Sequence, residues 1–310
     1  MQFTVFTPIY NRKHTIDRVW RSLQEQTHRD FEWIIVDDGS TDGVGALLQR
    51  YAAQAPFPVR ILVQPQNMGK HQAWNRAVEQ ARGRLFIVAD SDDAFTADSL
   101  EHMAAVWASI PADRRNYYAG VNVLCRDGSS GQVVGDPYPC DSLDTNSLEL
   151  AYTYQVSGEK WGCVRTDLLR KHPFPPVVGT HFAENYVWHA LARRYLTRCS
   201  NKALRIFFQE ASSTRLSNEK KASLSADRYE AMYRWNYLHL NMNGDYMWRK
   251  PKEIVVTLAN LGKTGLVVGE YFGRTQRRLK RRWTRLGFAL LYPLALGLYW
   301  RDRREGRIAA

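Results

Sequence analysis

Two clusters of acidic residues have the types and the spacing that metal and phosphate chemistry needs. Segment 86–95, FIVADSDDAF, runs from apolar residues into Asp90, Asp92 and Asp93, and segment 33–42, WIIVDDGSTD, ends in a similar way. Like charges this close repel one another, so we expect a positive group among them. Asp90 and Asp92 can point the same way from an extended chain, and their oxygens suit Mg²⁺ or Mn²⁺. The alternative, for a cluster taken alone, is a surface turn.

Strands and helices are predicted to alternate up to residue 93, and this alternation positions the acids. Apolar strand-like runs occur at 3–7, 33–37, 60–64 and 85–90. Segment 15–26 lies between the first two and has the i, i+3, i+4, i+7 spacing of an amphipathic helix. This order predicts a largely parallel sheet covered by helices on both faces. Ligands bind at the carboxyl ends of such strands, so TPIYNR, DDGSTD, QNMGKHQAWN and DSDD should meet at one edge.

The chain after residue 93 alternates less regularly. We expect a hairpin at 117–135, a strand and a short helix at 158–175, an amphipathic helix at 183–195, and a strand at 203–208. The polar segment 212–225 has two interpretations, a loop that closes over a substrate or an ordinary loop.

Composition places the chain among folded proteins with a basic surface. It has 310 residues, is 45% hydrophobic, and carries a net charge of +12. Much of the basic excess lies between residues 274 and 307, which favours an anionic surface as a partner. The four cysteines show no CxxC pair and no zinc spacing, so we expect reduced thiols. The N-terminus resembles a first strand and not a signal peptide.

The four segments TPIYNR, IIVDDGSTD, QNMGKHQAWNRAV and VADSDD, in this order, resemble the family 2 glycosyltransferases of the GT-A fold. The resemblance implies a Rossmann-like α/β fold with a nucleotide-sugar-binding half at 1–93 and an acceptor-binding half at 94–241. A helical, basic and apolar tail at 242–310 falls mostly outside it. The implied reaction transfers a sugar, with inversion, from a nucleotide-diphosphate sugar (UDP favoured) to a hydroxyl of a glycan or lipid-linked acceptor. The implied cofactor is Mn²⁺ or Mg²⁺.

The resemblance also implies roles for single residues. Asp92 and Asp90 would hold the metal. The nucleotide would be bound by residues from all four segments: Pro8, Tyr10, Asn11, Asp38, Lys70, Asp90 and Ser91. Simpler alternatives stand beside some of these roles, since Pro8 can be a turn former and Tyr10 a packed ring.

The resemblance places the general base in the acceptor-binding half. Inversion by a single displacement needs a base on the acceptor hydroxyl, and the family usually carries Glu-Asp at the start of a helix. This chain has Glu184-Asn185. Asparagine cannot usefully accept a proton, so Glu184 is the predicted base, with Asp167 as a weaker rival. The alternative is a glutamate that complements the helix dipole.

Two further residues are predicted to line the acceptor site. Glu159 and Trp161 occur in a segment that resembles the family's acceptor region, and a tryptophan face can stack on a sugar. The alternative for Trp161 is a buried core side chain.

The C-terminal tail is predicted to associate with a membrane surface. Residues 286–300 are mostly apolar and lie between two basic runs. As a helix they would span about 22 Å, less than the ~30 Å hydrocarbon core, and Pro293 is expected to interrupt them. We therefore expect a segment lying on the inner face of an anionic membrane, with the protein cytoplasmic and peripheral. The alternative is a helix packed against the globular domain or an oligomer partner.

Two other classes of function compete with a transferase of sugars. A nucleotidyltransferase also places acids and a metal near a nucleotide, but it usually needs a Gly-rich phosphate loop, which TPIYNR matches poorly. A non-catalytic sugar-nucleotide-binding or membrane scaffold subunit is the second alternative, and Asn185 is the residue that favours it. No nucleic-acid partner is expected, because no recognition module accompanies the arginine-rich run.

Overall fold

The computed structural model describes residues 1–176, 182–208 and 224–308. The chain divides into two compact units. The sheet unit comprises Met1–Pro175 and Leu191–Glu210, and the helical unit comprises Pro176–Ala190 and Ala211–Ala310. The division into a nucleotide-sugar-binding half at 1–93 and an acceptor-binding half at 94–241 is based on function, and it stays a prediction. Most of the polar segment 212–225 lies outside the described residues.

A nine-stranded sheet forms the centre of the sheet unit, in the order β3-β2-β1-β4-β8-β6-β9-β5 with β7 paired to β9. Strands β1 to β4 are parallel, and β8 runs antiparallel to both β4 and β6. The strands are β1 (Phe3–Ile9), β2 (Phe31–Asp37), β3 (Val59–Val63), β4 (Leu85–Val88), β5 (Ala94–Phe95), β6 (Tyr118–Asp127), β7 (Leu143–Thr145), β8 (Lys160–Arg165) and β9 (Leu196–Phe207).

Helices of the sheet unit join and cover these strands. They are α1 (Asp17–Gln24), α2 (Val44–Gln54), α3 (Lys70–Gln80), α4 (Ser99–Ala108), α5 (Ser147–Tyr152) and α6 (Thr166–Lys171). Trp20 of α1 stacks on Tyr51 of α2 at 4.7 Å and lies 6.1 Å from Trp33 of β2, between ring centroids. Each aromatic pair adds about 0.5–1.5 kcal/mol beyond the burial of its area. The predicted α/β alternation is therefore confirmed, and aromatic pairs form part of its core.

The predicted hairpin at 117–135 is wrong in its second strand. β6 is a long strand, but β8 and β9 already occupy its two edges over most of its length. A strand has only two edges for hydrogen bonding. The returning chain therefore pairs only at the tip of β6, through a bridge between Arg126 and Val133.

The helical unit contains most of α7 (Asn185–Ala192), together with α8 (Ala226–Met247), α9 (Pro251–Val267), α10 (Phe272–Arg278) and α11 (Arg282–Arg304). α9 and α11 approach closely, since a Cβ added to Gly262 would lie 2.6 Å from Ala295 Cβ. Among the described residues, no helix combines the length and the apolar character that a membrane crossing needs.

The expectation that Pro293 interrupts the tail helix is wrong. α11 continues through Pro293 although proline removes one backbone donor. Phe288 and Ala295, on either side of the proline, are fully buried. Phe288 also stacks on Phe272 of α10 at 5.5 Å. Packing on both sides of the proline therefore stabilises the helical turns that it weakens.

Candidate active site

The first two predicted segments meet at the carboxyl edge of β1 and β2. The backbone N–H of Asn11 donates to Ser40 Oγ at 3.0 Å, and the backbone N–H of Thr41 donates to Asn11 Oδ1 at 2.8 Å. Asn11 adopts a φ of 52°, a conformation that asparagine tolerates better than most residues. Pro8 lies in β1 opposite Val36, and the exposed Tyr10 follows the end of β1.

Asp38 joins the second segment to the third. Its carboxylate is buried and accepts hydrogen bonds from Gln64 Nε2, from the backbone N–H of Met68 at 2.7 Å and from that of Gly69 at 2.8 Å. Burial raises the pKa of Asp38, and the two backbone donors oppose that increase. Asp38 therefore anchors the loop before α3, which begins at Lys70. The predicted contact of Asp38 with a nucleotide stays a prediction.

The acidic cluster after β4 is held by two cations. Lys70 Nζ lies 2.6 Å from Asp90 Oδ1 and joins the third segment to the fourth. Arg205 of β9 contacts Asp90 Oδ2 at 3.0 Å and donates from Nε to Asp93 Oδ2 at 2.7 Å. The positive group expected among the acids is therefore a lysine and an arginine, and the Arg205 side chain is nearly buried.

These ion pairs and the burial of the site shift the pKa values of Asp90 and Asp93 in opposite directions. Burial alone would raise the pKa of Asp90, but Lys70 and Arg205 hold it below its ordinary value. Burial raises the pKa of Asp93 to about 7, although Arg205 opposes the rise. Burial also favours the neutral form of Arg205, yet Asp90 and Asp93 raise its pKa, so the guanidinium stays charged. The cluster thus combines a charged Asp90 with a carboxyl that is easier to protonate.

Arg205 was not predicted from the sequence as a residue of the site. It lies in the apolar run ALRIFF, where a single charge interrupts a strand, and that interruption was the available signal. Its partner Asp93 lies 112 residues earlier in the chain. The register of the sheet brings the two together, since β5 follows Asp93 and pairs Phe95 with Arg205.

The loop after β4 is fixed from a second side. Arg18 of α1 donates to the backbone oxygen of Asp92 at 2.9 Å, and its guanidinium lies 4.2 Å above the centroid of the Phe208 ring. Ser91 is buried in the same loop. These contacts hold the backbone of segment 90–92 in place.

The two predicted acceptor residues differ in exposure. Trp161 is 5% exposed, donates from Nε1 to the backbone oxygen of Val88 at 2.5 Å, and lies 5.3 Å from the Phe95 ring. These contacts are those of a core side chain, which was the alternative role. Glu159 is exposed and directly precedes β8. Because β8 runs antiparallel to β4, Glu159 lies at the same edge as the residues that follow β4.

Glu184 directly precedes α7 in the helical unit. It is half-buried, and its backbone oxygen accepts from the N–H of Val187 at 3.0 Å and from that of Trp188 at 3.4 Å. Asn243 of α8 donates to His189 Nδ1 at 2.8 Å, so side-chain contacts attach α7 to α8. The role of Glu184 as base stays a prediction.

A divalent metal fits the donor set at the end of β4. Among the described residues, no group of three or more His, Cys, Asp or Glu side chains is placed to hold a metal ion. Mg²⁺ sites of this kind usually use one or two carboxylates together with substrate phosphates. Asp90 and Asp92 supply that number, and the buried Asp93 Oδ1 next to them has no hydrogen-bond partner. The residues therefore suit a metal that binds together with a diphosphate.

The chain has the GT-A fold, as predicted from its motifs. The structure of S. aureus TarS in complex with UDP-GlcNAc matches 99% of this chain and 90% of that chain, with a TM-score of 0.59 and 21% identity. The mannosyltransferase PcManGT from Pyrobaculum calidifontis, in complex with GDP-Man and Mn²⁺, matches 99% of this chain and 83% of that chain, with a TM-score of 0.56 and 19% identity. Likeness at this identity shows the fold.

Sequence comparison supplies the family. Residues 4–127 match the family model described as Glycosyl transferase family 2. The Bacillus subtilis (strain 168) protein described as putative teichuronic acid biosynthesis glycosyltransferase TuaG is 39% identical over 98 residues, which cover 32% of this chain and 38% of that protein. The chain spans about a third of the length of the curated relatives that it matches first. Residues 4–127 therefore form a family 2 glycosyltransferase domain, and the family predicted from the motifs is confirmed for this part of the chain.

Proposed function

We propose that this protein transfers a sugar from a nucleotide-diphosphate sugar, UDP being favoured, to a hydroxyl of a glycan or lipid-linked acceptor. The observation that carries the proposal is the cluster of Lys70, Asp90, Asp93 and Arg205 at the carboxyl edge of the sheet. That edge is where ligands bind in open α/β sheets. TarS with UDP-GlcNAc and PcManGT with GDP-Man and Mn²⁺ support the donor class.

The donor diphosphate would lie beside the Lys70 ammonium. Charge-assisted hydrogen bonds to phosphate are stronger than neutral ones, and Asp90 already holds the ammonium at this edge. Asn11 and Asp38 fix the two loops that would surround the nucleoside. Pro8 and Tyr10 precede Asn11 in the first segment, Ser91 follows Asp90 in the fourth, and all three would contribute to the nucleotide site. A Mn²⁺ or Mg²⁺ held by Asp92 and Asp90 would neutralise charge that builds on the leaving diphosphate.

Glu184 would act as the general base. Inversion in one displacement requires a carboxylate that takes the proton of the acceptor hydroxyl while that oxygen attacks the anomeric carbon. Glu184 lies at the start of α7, where the resemblance places the base, and it is the acidic member of Glu184-Asn185. The exposed Glu159 would contribute to the acceptor site.

The tail would attach the enzyme to the cytoplasmic face of an anionic membrane. Leu286, Leu290 and Leu294 of α11 recur every four residues and are strongly exposed, which gives the helix an apolar stripe. Exposed arginines stand at both ends of the helix, including Arg285 and Arg301. A membrane location suits a lipid-linked acceptor, and a relative described for teichuronic acid biosynthesis supports polysaccharide assembly.

The donor class is tested by thermal unfolding with UDP, GDP, dTDP and CMP, each with and without Mn²⁺. A ligand that binds only the folded protein raises the free energy of unfolding, by about 2.7 kcal/mol at 100 times Kd, and the Tm rises with it. We expect a shift with UDP that requires the metal. If no nucleotide shifts the Tm of folded protein, the scaffold alternative replaces the enzyme.

The base is tested with Glu184→Gln. We expect transfer to fall by about 10²–10⁴-fold, because a positioned base contributes that much, while the UDP-dependent shift in Tm is unchanged. Asp167→Asn is the matched control and should retain activity. Full activity in Glu184→Gln with loss in Asp167→Asn would transfer the role to the rival residue.

A further inference from the structure

A second basic site lies at the opposite edge of the sheet from the candidate active site. A cavity of about 360 Å³ is lined by five arginines and one acid, together with neutral residues. The charged residues are Arg82, Arg84, Arg115, Arg165, Arg170 and Asp167. Among the described residues that line this arginine cavity, the charges sum to 5 − 1 = +4. Nothing in the proposed transfer reaction uses this excess.

The topology separates the arginine cavity from the donor site. Arg84 precedes β4, Arg165 ends the antiparallel neighbour β8, and Leu85 pairs with Arg165. The acidic cluster follows the other end of β4, at Asp90. Six residues from Arg84 to Asp90 correspond to roughly 20 Å of extended chain. The two sites therefore lie at opposite ends of the same strand.

Backbone oxygens, and not carboxylates, hold two of the guanidiniums. Arg115 donates to the carbonyl oxygens of Ile110 and Ala108, both at 2.9 Å. Arg170 donates to the carbonyl oxygens of Val78 and Ala81. A carbonyl oxygen orients a guanidinium but does not neutralise it, so these arginines keep their full charge.

The remaining arginines leave most of the positive charge in the cavity uncompensated. Arg165 forms a two-point pair with Asp167, at 3.0 and 2.7 Å. The Arg84 guanidinium lies 5.9 Å from the centroid of the Trp107 ring. Arg82 and Arg84 are exposed, so their ends are available to a ligand. The cavity thus combines guanidiniums held by backbone oxygens with guanidiniums that are exposed to a ligand.

We propose that the arginine cavity binds a phosphate-bearing anion, either a soluble diphosphate or the phosphate headgroup of a lipid. Guanidinium groups match phosphate oxygens through two parallel hydrogen bonds, and several of them converge here. The cavity has room for roughly a dozen water molecules at ~30 Å³ each. That volume suits a diphosphate or a glycerophosphate group and lies within the range of small-molecule sites.

The test uses the full chain, with calorimetric titration in EDTA of two probes, inorganic pyrophosphate and dihexanoyl phosphatidylglycerol below its micellar concentration. The variant is Arg82→Gln with Arg84→Gln, since both side chains are exposed. The matched control is Arg29→Gln with Arg50→Gln, which removes two exposed arginines elsewhere in the sheet unit. Lys70→Gln reports binding at the donor site.

We expect the cavity variant to weaken binding by about tenfold or more, with wild-type affinity in the control and in Lys70→Gln. Binding of pyrophosphate alone identifies a soluble anion, and binding of the lipid probe identifies a headgroup. Absence of binding by both probes to the wild-type chain overturns the proposal. Equal weakening in the control, or loss only in Lys70→Gln, overturns it as well. Because the donor site is at the other edge, either result leaves the proposed transfer reaction untouched.

Discussion

Arg205 is the residue on which the charge balance of the candidate active site depends. It is 8% exposed, and it contacts both Asp90 and Asp93. When a buried ion pair loses one partner, the other charge stays buried and uncompensated. The resulting loss of stability is larger than the net stabilisation that the pair contributed. Lys70 would still face Asp90, but Asp93 would lose its cation.

We therefore expect Arg205→Met to lower the free energy of unfolding by about 3–5 kcal/mol and to abolish the UDP-dependent shift in Tm. Urea unfolding measures the first effect and thermal unfolding the second. Lys202→Met is the control on the same strand, because Lys202 pairs with Asp98 on the surface. An exposed pair contributes about 0–1 kcal/mol. Equal losses in the two variants would contradict the role given to Arg205.

His189 gives the helical unit a pH dependence. Burial, with His239 nearby, lowers the pKa of His189 to about 3. The unfolded chain has a histidine pKa of about 6.5, so it binds the proton more readily than the folded chain between pH 6.5 and 3. The contribution of neutral His189 to the free energy of unfolding is therefore fully present above the histidine pKa of the unfolded chain. It decreases as the pH falls from about 6.5 towards 3.

We expect the free energy of unfolding to drop by about 2 kcal/mol between pH 7 and 5 from this group. His189→Gln should remove that part of the slope, measured by urea unfolding at both pH values. His14→Gln, at an exposed position, should keep the wild-type slope. An unchanged slope in His189→Gln would show that the histidine is charged or exposed in the folded protein.

At the scale of elements, the turn after β2 decides whether the third segment reaches the site. Gly39 has a φ of +78°, and a Cβ there would lie 2.7 Å from Gln66 Cα and 2.8 Å from Gln66 C. Both atoms are backbone, so the loop that Asp38 holds would have to shift. Gly43 has a similar φ of +76°, but its nearest contact is Lys13 Nζ at 3.6 Å.

Alanine substitutions at these two glycines separate the cost of backbone strain from the cost of a steric clash. Gly43→Ala should cost about 1–2 kcal/mol from the left-handed conformation alone. Gly39→Ala adds overpacking of typically 1–3 kcal/mol and should also weaken UDP binding, because Lys70 follows the displaced loop. Thermal unfolding and nucleotide titration compare the two variants. Similar UDP affinity in both would show that the loop absorbs the added methyl group.

For the whole molecule, the proposed attachment to a membrane would depend on an apolar surface that the helical unit leaves exposed. Leu286 is 67% exposed and Leu290 is 81% exposed, whereas Phe288 on the other side of α11 is buried. The helix thus packs on its own unit and still presents an apolar stripe. The two sequence-based interpretations of the tail, packed helix and membrane-lying helix, are compatible.

Leu286→Ser with Leu290→Ser should reduce co-sedimentation with phosphatidylglycerol vesicles by tenfold or more, since burying a leucine contributes about 1.5–3 kcal/mol. Val63→Ser with Val133→Ser removes two exposed apolar residues of the sheet unit and serves as the control. Thermal unfolding checks that both variants remain folded. Equal sedimentation of the two variants would place membrane contact elsewhere or exclude it.

Local patterns were sufficient for the strands and helices up to Asp93, and for the motifs at their ends. The periods that predict strands and helices are properties of short segments. Gly39 and Gly69 likewise occur in turns where φ is positive, a conformation that glycine adopts readily. The meeting of four motifs at one edge followed from the rule for parallel strands. Lys70 was named as a site residue from the same pattern, although its pairing with Asp90 was not foreseen.

Contacts between residues distant in sequence needed the folded chain. Arg205 reaches Asp93 across 112 residues because β9 lies beside β5, and no local period encodes which strands become neighbours. The burial of Trp161 follows from the position of β8 next to β4. The arginine cavity arises in the same way, since Arg84 and Arg165 become adjacent only when β4 and β8 pair. Sequence patterns predict which face of each element is buried and where the element ends. The packing of elements against one another determines which charged side chains form pairs.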